Sequence, residues 1–147
     1  MKKISILTPA DIAEAYQIEQ ASHAFPWTKN VFASNHSEHY LNYKLSVNHC
    51  LAGFSMTQLI IDEATLFNIA IDPQYQRQGY GRLLLEYLIK QLIIRHVATC
   101  WLEVRQSNLG AIALYKSLNF KAVSVRKNYY PCTKGSENAV IMKLSLA

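Results

Sequence analysis

The segment Gly79-Tyr80-Gly81 most constrains the fold, because it separates a strand pattern from a long helix pattern. The apolar run 64–71 is typical of a strand, and Asp72-Pro73 ends it, since proline cannot donate to a strand ladder. A helix pattern covers 79–95 and a second strand pattern covers 97–104. A strand, a helix and a strand in this order form a β-α-β unit, with a right-handed crossover between parallel strands. The sequence therefore predicts an α/β domain whose mixed sheet is covered by helices.

The rest of the chain adds strand and helix patterns on both sides of this unit. Thr8 and Pro9 are typical of a helix start, and Thr28 can cap a short second helix. Asn119 closes the last helix in the left-handed conformation that asparagine tolerates. The order β-α-α-β-β-β-α-β-α-β-β is predicted for one domain over residues 1–147. Outside the unit, the predicted strands are 4–7, 40–47, 51–61, 120–126 and 139–146, and the predicted helices are 8–22, 28–35 and 108–118.

Composition excludes several classes of protein. The chain has 147 residues and half of them are hydrophobic, so it is not a disordered polar chain. The longest apolar stretch, 83–94, contains Glu86 and Lys90, whereas a membrane span needs about 20 apolar residues. The first residues have too short an apolar run for a signal peptide. Three widely spaced cysteines argue against a disulfide framework or a zinc site. We therefore expect a cytoplasmic protein with no membrane segment and no bound metal.

The loop 76–82 has the properties of a phosphate-binding site. A helix start leaves about four backbone N–H groups unpaired and carries partial positive charge, and two glycines let a ligand approach the backbone. Arg77 and Arg82 add positive charge. The net charge is +5, but no run of Lys and Arg exceeds two residues, which disfavours nucleic acid and leaves a small polyanion open. The P-loop and Rossmann glycine patterns are absent. The alternative is that Gly79 and Gly81 only shape a tight turn.

Three segments together resemble the GCN5-related N-acetyltransferase (GNAT) family. Residues 76–81, Gln-Arg-Gln-Gly-Tyr-Gly, match the family signature Q/R-x-x-G-x-G/A, and 68–73 are similar to the strand before it. Residues 102–120 resemble the signature LEVR-x-x-N-x-x-A-x-x-L-Y-x-x-x-G-F, with Asn119 where the family usually has glycine. The resemblance implies the GNAT fold, a mixed and mostly antiparallel sheet of about seven strands with flanking helices. It also implies acetyl-coenzyme A as the co-substrate, without a metal.

Three other segments are similar to one bacterial branch of that family, which acetylates the N-terminal alanine of small-subunit ribosomal protein eighteen. They are 24–27 (Ala-Phe-Pro-Trp), 62–70 and 126–131 (Arg-Lys-Asn-Tyr-Tyr-Pro). The first and last are more specific than the glycine loop, because many acetyltransferases lack them. The resemblance runs nearly end to end. It implies a ribosomal-protein N-terminal peptide as the substrate, direct attack of its α-amine on the thioester, and no membrane or direct nucleic-acid partner.

The same resemblance places acetyl-coenzyme A along the loop and the strand before it. In the family this strand and the next one splay apart, and the pantetheine arm lies between them. A backbone N–H at the end of the strand, otherwise unpaired, would polarise the thioester carbonyl. The predicted co-substrate-binding residues are Ile69, Ala70, Ile71, Arg77, Gln78, Gly79, Tyr80, Gly81, Arg82 and Asn108.

Glu103 is the predicted base. It is a lone carboxylate in the apolar run 101–104, at the end of the strand that partners 64–71. Partial burial would raise the pKa of a carboxyl group there and improve it as a base. A peptide α-amine, with an ordinary pKa of about 7.7–8.0, needs only modest help. The alternatives are a solvent-facing side chain or a salt bridge to Arg105, which is awkward because adjacent strand positions point to opposite faces.

Tyr115 is the predicted general acid for the departing thiolate. It lies two helical turns after Asn108, on the same face and about 10 Å further along, nearer the sulfur. A tyrosine hydroxyl can act as a general acid. The alternative is a core tyrosine that packs its ring against the sheet. The resemblance favours the catalytic interpretation, because Glu103 and Tyr115 fall on the base and acid positions proposed for that branch of the family.

Other candidate residues have simpler interpretations. Cys100 has no adjacent histidine and is expected in the core rather than as a nucleophile. His36 and His39 are expected on the surface rather than on a metal. Trp27 and Tyr129-Tyr130 either line an acceptor groove or simply pack. Two other functions stay open: an acetyltransferase acting on a small amine, and a non-catalytic domain that senses coenzyme A.

Overall fold

The computed structural model describes residues 1–146, which form a seven-stranded sheet and four α-helices in the predicted order. A 3₁₀ turn, Pro9–Asp11, precedes the first helix. Within residues 1–146, none of the helices combines the length and the apolar character needed to cross a bilayer. The strands β1–β7 are Lys2–Ile6, Tyr40–Val47, Cys50–Ile60, Glu63–Ile71, Thr99–Arg105, Lys121–Cys132 and Gly135–Ser145, and the helices α1–α4 are Ile12–Ser22, Lys29–Ser34, Tyr80–Ile94 and Leu109–Ser117.

The sheet has the strand order β1-β2-β3-β4-β5-β7-β6. The central strands β4 and β5 run parallel, and α3 connects them, as the β-α-β pattern predicts. The other neighbouring strands pair antiparallel. The mixed, mostly antiparallel sheet of the GNAT fold is therefore confirmed.

Helices cover both faces of the sheet because each carries an apolar stripe. Leu84, Leu88 and Leu92 recur at helical spacing on α3 and are buried in the larger core, together with Tyr115 of α4. On the opposite face, Phe32 of α2 packs edge-on against Phe54 of β3, with ring centroids 5.3 Å apart. Hydrophobic burial on two faces thus holds the sheet in the middle of three layers.

The predicted helix caps are present. The Thr28 hydroxyl accepts from the backbone N–H of Val31 at 3.3 Å, which begins α2. Asn108 Oδ1 accepts from the backbone N–H of Ala111 at 3.2 Å, which begins α4. Asn119 has a φ of 74°, the left-handed conformation expected of the residue that ends this helix. These contacts satisfy backbone groups that a helix end leaves unpaired.

The last hairpin is longer than predicted. The predicted strands cover 120–126 and 139–146, whereas β6 continues to Cys132 and β7 begins at Gly135, on either side of a two-residue turn. β6 is an edge strand exposed along nearly its whole length, so its sequence lacks the alternation that marks a half-buried strand. The pairing also shifts register between Arg126 and Tyr130, and Pro131 is tolerated because it lies on the edge.

The parallel strands β4 and β5 separate halfway along their length. On β4 the pairing runs from Glu63 to Leu66, and Leu66 faces Leu102 of β5. The residues of β4 after Leu66 do not pair with β5. Phe67 is an extra residue in the pairing with β3, because Leu66 and Asn68 face consecutive residues of that strand. Such a β-bulge bends and twists its strand. The bulge therefore explains why β4 turns away from β5, and it opens the splay that the family resemblance implies.

Candidate active site

A cavity of about 780 Å³ fills the space between the diverging ends of β4 and β5. Its walls include residues 66–71 of β4, 102–105 of β5 and the inner face of α4. A second cavity of about 500 Å³ lies at the start of α3. Both cavities are bounded by Ile71, Gly81, Ala111 and Leu114, so they adjoin. Together they form one elongated groove from the glycine loop to the gap between the strands.

The start of α3 supplies backbone donors to the smaller cavity. Gly79 has a φ of 82°, and the first helical hydrogen bond runs from the Leu83 N–H to the Gly79 carbonyl at 3.0 Å. The N–H groups before Leu83 therefore have no partner inside the helix. Arg77, with a φ of 63°, also lines this cavity. The end of the groove at the glycine loop combines these donors with the helix dipole and a cation, a combination suited to a diphosphate.

Most of the predicted co-substrate residues line the groove. Gln78 is absent from both walls. Arg82 directs Nη1 to the Ser117 hydroxyl at 2.8 Å and Nε toward Glu86 at 3.7 Å, so part of its charge is shared with α3 and α4. Ile69, Ala70 and Asn108 line the larger cavity, Arg77, Gly79, Tyr80 and Arg82 line the smaller one, and Ile71 and Gly81 line both.

Two side chains that the sequence analysis missed fix the end of β4. Gln76 Nε2 donates to the Ile71 carbonyl at 2.8 Å, and the Ser22 hydroxyl donates to the same carbonyl at 3.1 Å. Gln76 belongs to the recognised signature, but its donor role depends on how the loop folds back. These two bonds hold the glycine loop and α1 against the strand that borders the gap.

Glu103 lies on β5, the predicted strand, and its side chain is part of the wall of the larger cavity. Its side chain is 29% exposed, and Oε1 accepts from Arg126 Nη1 at 3.0 Å. The Arg126 guanidinium also stacks over the Tyr129 ring, 4.5 Å from its centroid. The alternative salt bridge from Glu103 to Arg105 is not formed, because Arg105 pairs with Glu137 at 3.0 Å. The carboxylate thus faces the cavity with one oxygen held by a cation.

Tyr115 is almost fully buried, at 7% exposure, and its side chain also borders the larger cavity. Its ring packs against Phe120 with centroids 5.7 Å apart, so the core interpretation is correct as far as the ring is concerned. Burial raises the pKa of the Tyr115 phenol, and the Tyr130 phenol and the Cys100 thiol act in the same direction. The hydroxyl therefore keeps its proton at neutral pH and can donate it.

Aromatic side chains and a cation close the end of the larger cavity that faces away from the loop. The Arg105 guanidinium lies 5.0 Å from the Phe25 ring centroid and 4.6 Å from that of Tyr130. It also donates to the Pro131 carbonyl at 2.6 Å. Trp27 borders the same cavity while packing against Phe32. The aromatic residues of 24–27 and 126–131 therefore both line the cavity and pack.

A buried polar network in the cavity wall was missed by the sequence analysis. Glu19 on α1 is 1% exposed, and its carboxylate accepts from the Trp27 N–H at 2.9 Å and from Asn68 Nδ2 at 2.8 Å. His23 Nε2 lies 3.3 Å from Glu19 Oε1 and 3.1 Å from Asn68 Oδ1. The sequence signal was a charged residue four positions after Ala15, on the apolar face of the helix.

The remaining candidates behave as expected with one exception. Burial raises the pKa of the Cys100 thiol to about 12, which suits a core residue rather than a nucleophile. His39 is exposed, but His36 is half-buried, and the expectation of a surface residue is wrong there. His36 packs on Phe32 and contacts Asn42 at 3.0 Å. Residues 1–146 contain no group of three metal-ligating side chains.

Comparison with known proteins places the chain among acetyltransferases. Residues 7–120 match the Acetyltransferase (GNAT) family. The chain is 57% identical over 147 residues to the [ribosomal protein bS18]-alanine N-acetyltransferase of Escherichia coli K12, covering 100% of this chain and 99% of that protein. It is 49% identical over 143 residues to the enzyme of that name from Haemophilus influenzae, covering 97% of each. The crystal structure of the ribosomal-protein-S18-alanine N-acetyltransferase from E. coli superposes with a TM-score of 0.98, covering 100% of this chain and 95% of that one.

Proposed function

Because the chain belongs to the GNAT acetyltransferase family, we propose that it transfers the acetyl group of acetyl-coenzyme A to the N-terminal alanine of ribosomal protein bS18. The observation that carries this proposal is the 57% identity over the whole chain to an enzyme named for that reaction. The segments 24–27 and 126–131, which first pointed to this branch of the family, border the end of the cavity away from the glycine loop. That position suits residues that receive the acceptor peptide.

The groove has the shape and the donors that acetyl-coenzyme A requires. The start of α3 and Arg77 offer backbone and side-chain donors to a diphosphate. The gap between β4 and β5 leaves strand edges free to bind a pantetheine amide chain, because backbone groups there lack a strand partner. Asn108 borders the same gap, and its Oδ1 already caps α4, so its amide N–H groups are the donors left for a ligand. When bound, the co-substrate supplies the activated acetyl thioester.

The thioester carbonyl needs a donor that stabilises the charge developing on its oxygen. Ile69, Ala70 and Ile71 follow the bulge and border the cavity. A backbone N–H from this segment can act as such a donor, because its position is fixed before the reaction begins. The hydrogen bonds from Gln76 and Ser22 to the Ile71 carbonyl support that rigidity.

Glu103 and Tyr115 are assigned the proton transfers. Glu103 accepts a proton from the attacking amine, and Tyr115 donates one to the departing thiolate of coenzyme A. Both side chains border the cavity, and the Tyr115 phenol is protonated at neutral pH, as a proton donor must be. The amine attacks the thioester directly, since Cys100 is buried and unsuited to form an acyl-enzyme.

The test is incubation of the protein with acetyl-coenzyme A and synthetic peptides, followed by mass spectrometry. We expect one acetyl group on a peptide with the bS18 N-terminus and none on the same peptide with its α-amine already blocked. A panel of small amines is run in parallel. Transfer to a small amine but to no N-terminal peptide would overturn the proposed substrate. Binding of acetyl-coenzyme A without any transfer would favour a sensor.

The roles of the two catalytic residues are tested separately. Tyr115→Phe keeps the packed ring and removes only the hydroxyl, so we expect kcat to fall by about 100-fold while acetyl-coenzyme A still binds. His39→Ala serves as the control, because the side chain of this histidine is 66% exposed and lies outside the cavity walls. Unchanged turnover by Tyr115→Phe would remove the hydroxyl from the mechanism.

A further inference from the structure

The hydrogen bonds of the buried network determine which nitrogen of the neutral His23 ring carries the proton. A carboxylate only accepts, so Asn68 must present its Nδ2 to Glu19, where the distance is 2.8 Å. Asn68 Oδ1 then faces His23 Nε2 at 3.1 Å, and Glu19 Oε1 lies 3.3 Å from the same nitrogen. Both groups facing Nε2 are acceptors, so Nε2 carries the proton. In the neutral ring, Nδ1 is therefore an unprotonated nitrogen with a free lone pair.

His23 lies in the wall of the larger cavity rather than inside the core. Its side chain is 35% exposed and borders the larger cavity, while that of Glu19 behind it is 2% exposed. Among residues 1–146, nothing hydrogen-bonds to Nδ1. A cavity-wall imidazole that is held through Nε2 by Asn68 and a buried carboxylate, and whose Nδ1 is unprotonated, has the arrangement of a general base.

The reaction requires two protons to leave the attacking nitrogen. A peptide α-ammonium carries three N–H protons and the amide product carries one. One of the two lost protons ends on the thiol of coenzyme A and the other is released to water. The first must leave before attack, because an α-ammonium with an ordinary pKa of about 7.7–8.0 is largely protonated at neutral pH. Glu103 alone would have to accept both protons in succession, and one of its oxygens is held by Arg126.

We propose that His23 is a second catalytic base, which removes the first proton from the N-terminal ammonium of the substrate through Nδ1. This inference rests on the proposed function. The N–H bond electrons stay on nitrogen and then form the bond to the carbonyl carbon. As the C–S bond breaks, its electrons leave on sulfur, and Tyr115 protonates the sulfur. The second proton passes to Glu103, which returns it to the Tyr115 oxygen, and His23 releases the first proton to water.

The chemistry of the two bases suits this division. An imidazole is a stronger base than a carboxylate and is therefore better matched to an α-ammonium group. The positive charge that His23 gains is compensated by Glu19, with which Nε2–H makes a charge-assisted contact. Glu19 and Asn68 are positioning residues, since they act on the substrate only through the ring.

The experiment compares His23→Gln and His23→Ala with the wild-type enzyme, using acetyl-coenzyme A and the bS18 N-terminal peptide. The glutamine amide can still donate to Glu19 and Asn68 but has no basic nitrogen. We expect both variants to lose about 100-fold in kcat with unchanged binding of acetyl-coenzyme A. Added imidazole should restore part of the turnover of His23→Ala, measured as acetyl-peptide by mass, and none of that of Glu103→Gln. His39→Ala should match the wild type.

The other possible results overturn either the role of His23 or the proposed function. Wild-type turnover by His23→Gln means that the ring is only structural and overturns the proposal. A loss of kcat in His23→Ala that imidazole does not restore, with unchanged thermal stability, also overturns it. If the wild type acetylates no N-terminal peptide, the proposed function fails and this inference fails with it. An active wild type with equally active variants overturns the role of His23 alone.

Discussion

The Glu103 carboxylate on β5 and the Arg126 guanidinium on β6 form an ion pair of 3.0 Å across the intervening strand β7. The two side chains are 29% and 51% exposed, so water screens the pair. Exposed pairs of this kind contribute about 0–1 kcal/mol to stability. The pair therefore matters more for where the carboxylate points than for how stable the fold is.

This geometry separates two possible roles of Glu103. Glu103→Gln removes both the proton acceptor and the ion pair, whereas Arg126→Gln removes only the ion pair. We expect kcat with the alanine peptide to fall by about 100-fold or more in Glu103→Gln. In Arg126→Gln it should fall by less than about tenfold, the equivalent of an interaction near 1 kcal/mol. Equal losses in the two variants would mean that Glu103 acts only by binding Arg126.

The conformation of the glycine loop predicts a selective loss of co-substrate binding. Gly79 has a φ of 82°, and Gly135 at the start of β7 has a φ of 117°. Alanine at either position is strained, at a cost of about 1–2 kcal/mol. Only Gly79→Ala places that strain where backbone N–H groups face the smaller cavity. Calorimetry should show weaker binding of acetyl-coenzyme A to Gly79→Ala but not to Gly135→Ala. Both variants should unfold at a lower urea concentration than the wild type. Equal binding by the two would place the diphosphate elsewhere.

The elements and most of the groove could be predicted from local signals. The residues Thr28, Asn108 and Asn119 mark helix ends by their own chemistry, so their roles follow from the sequence alone. The family signatures located the loop and the gap. The splay itself depends on the bulge at Phe67, for which the residue type gives no warning.

The buried polar network around Glu19 could not be predicted, because its residues come into contact only in the folded chain. Asn68 is 49 residues from Glu19 along the chain, and the Trp27 N–H reaches the carboxylate only after the chain turns at the end of α1. A sequence shows that a carboxylate lies on an apolar helix face, but not what satisfies it. In the same way, the contact of Arg105 with Phe25 and Tyr130 joins three separate elements.

The buried carboxylate of Glu19 predicts a large loss of stability on neutralisation. It accepts hydrogen bonds from the Trp27 N–H and the Asn68 amide. In Glu19→Gln the NH₂ of the new amide faces one of these N–H donors, so buried N–H groups are left without an acceptor. This lowers the free energy of unfolding by about 1–3 kcal/mol. Glu14→Gln on the exposed face of the same helix is the control and should change little. Urea unfolding measures both, and equal midpoints would mean that the network contributes nothing to stability.

The burial of Tyr115 predicts how stability changes at alkaline pH. Burial raises the pKa of its phenol in the folded protein, whereas tyrosines in the unfolded chain ionise near their ordinary value of about 10. The folded state therefore holds this proton more tightly than the unfolded state does. Its contribution is complete below pH ~10 and is lost as the pH rises above that value. Tyr115→Phe has no proton to lose, so its urea midpoint should fall less than that of the wild type between pH 9 and pH 11. Tyr129→Phe, whose ring is 46% exposed, should follow the wild type. If Tyr115→Phe loses stability as steeply as the wild type, burial does not raise the pKa of the Tyr115 phenol in the folded protein.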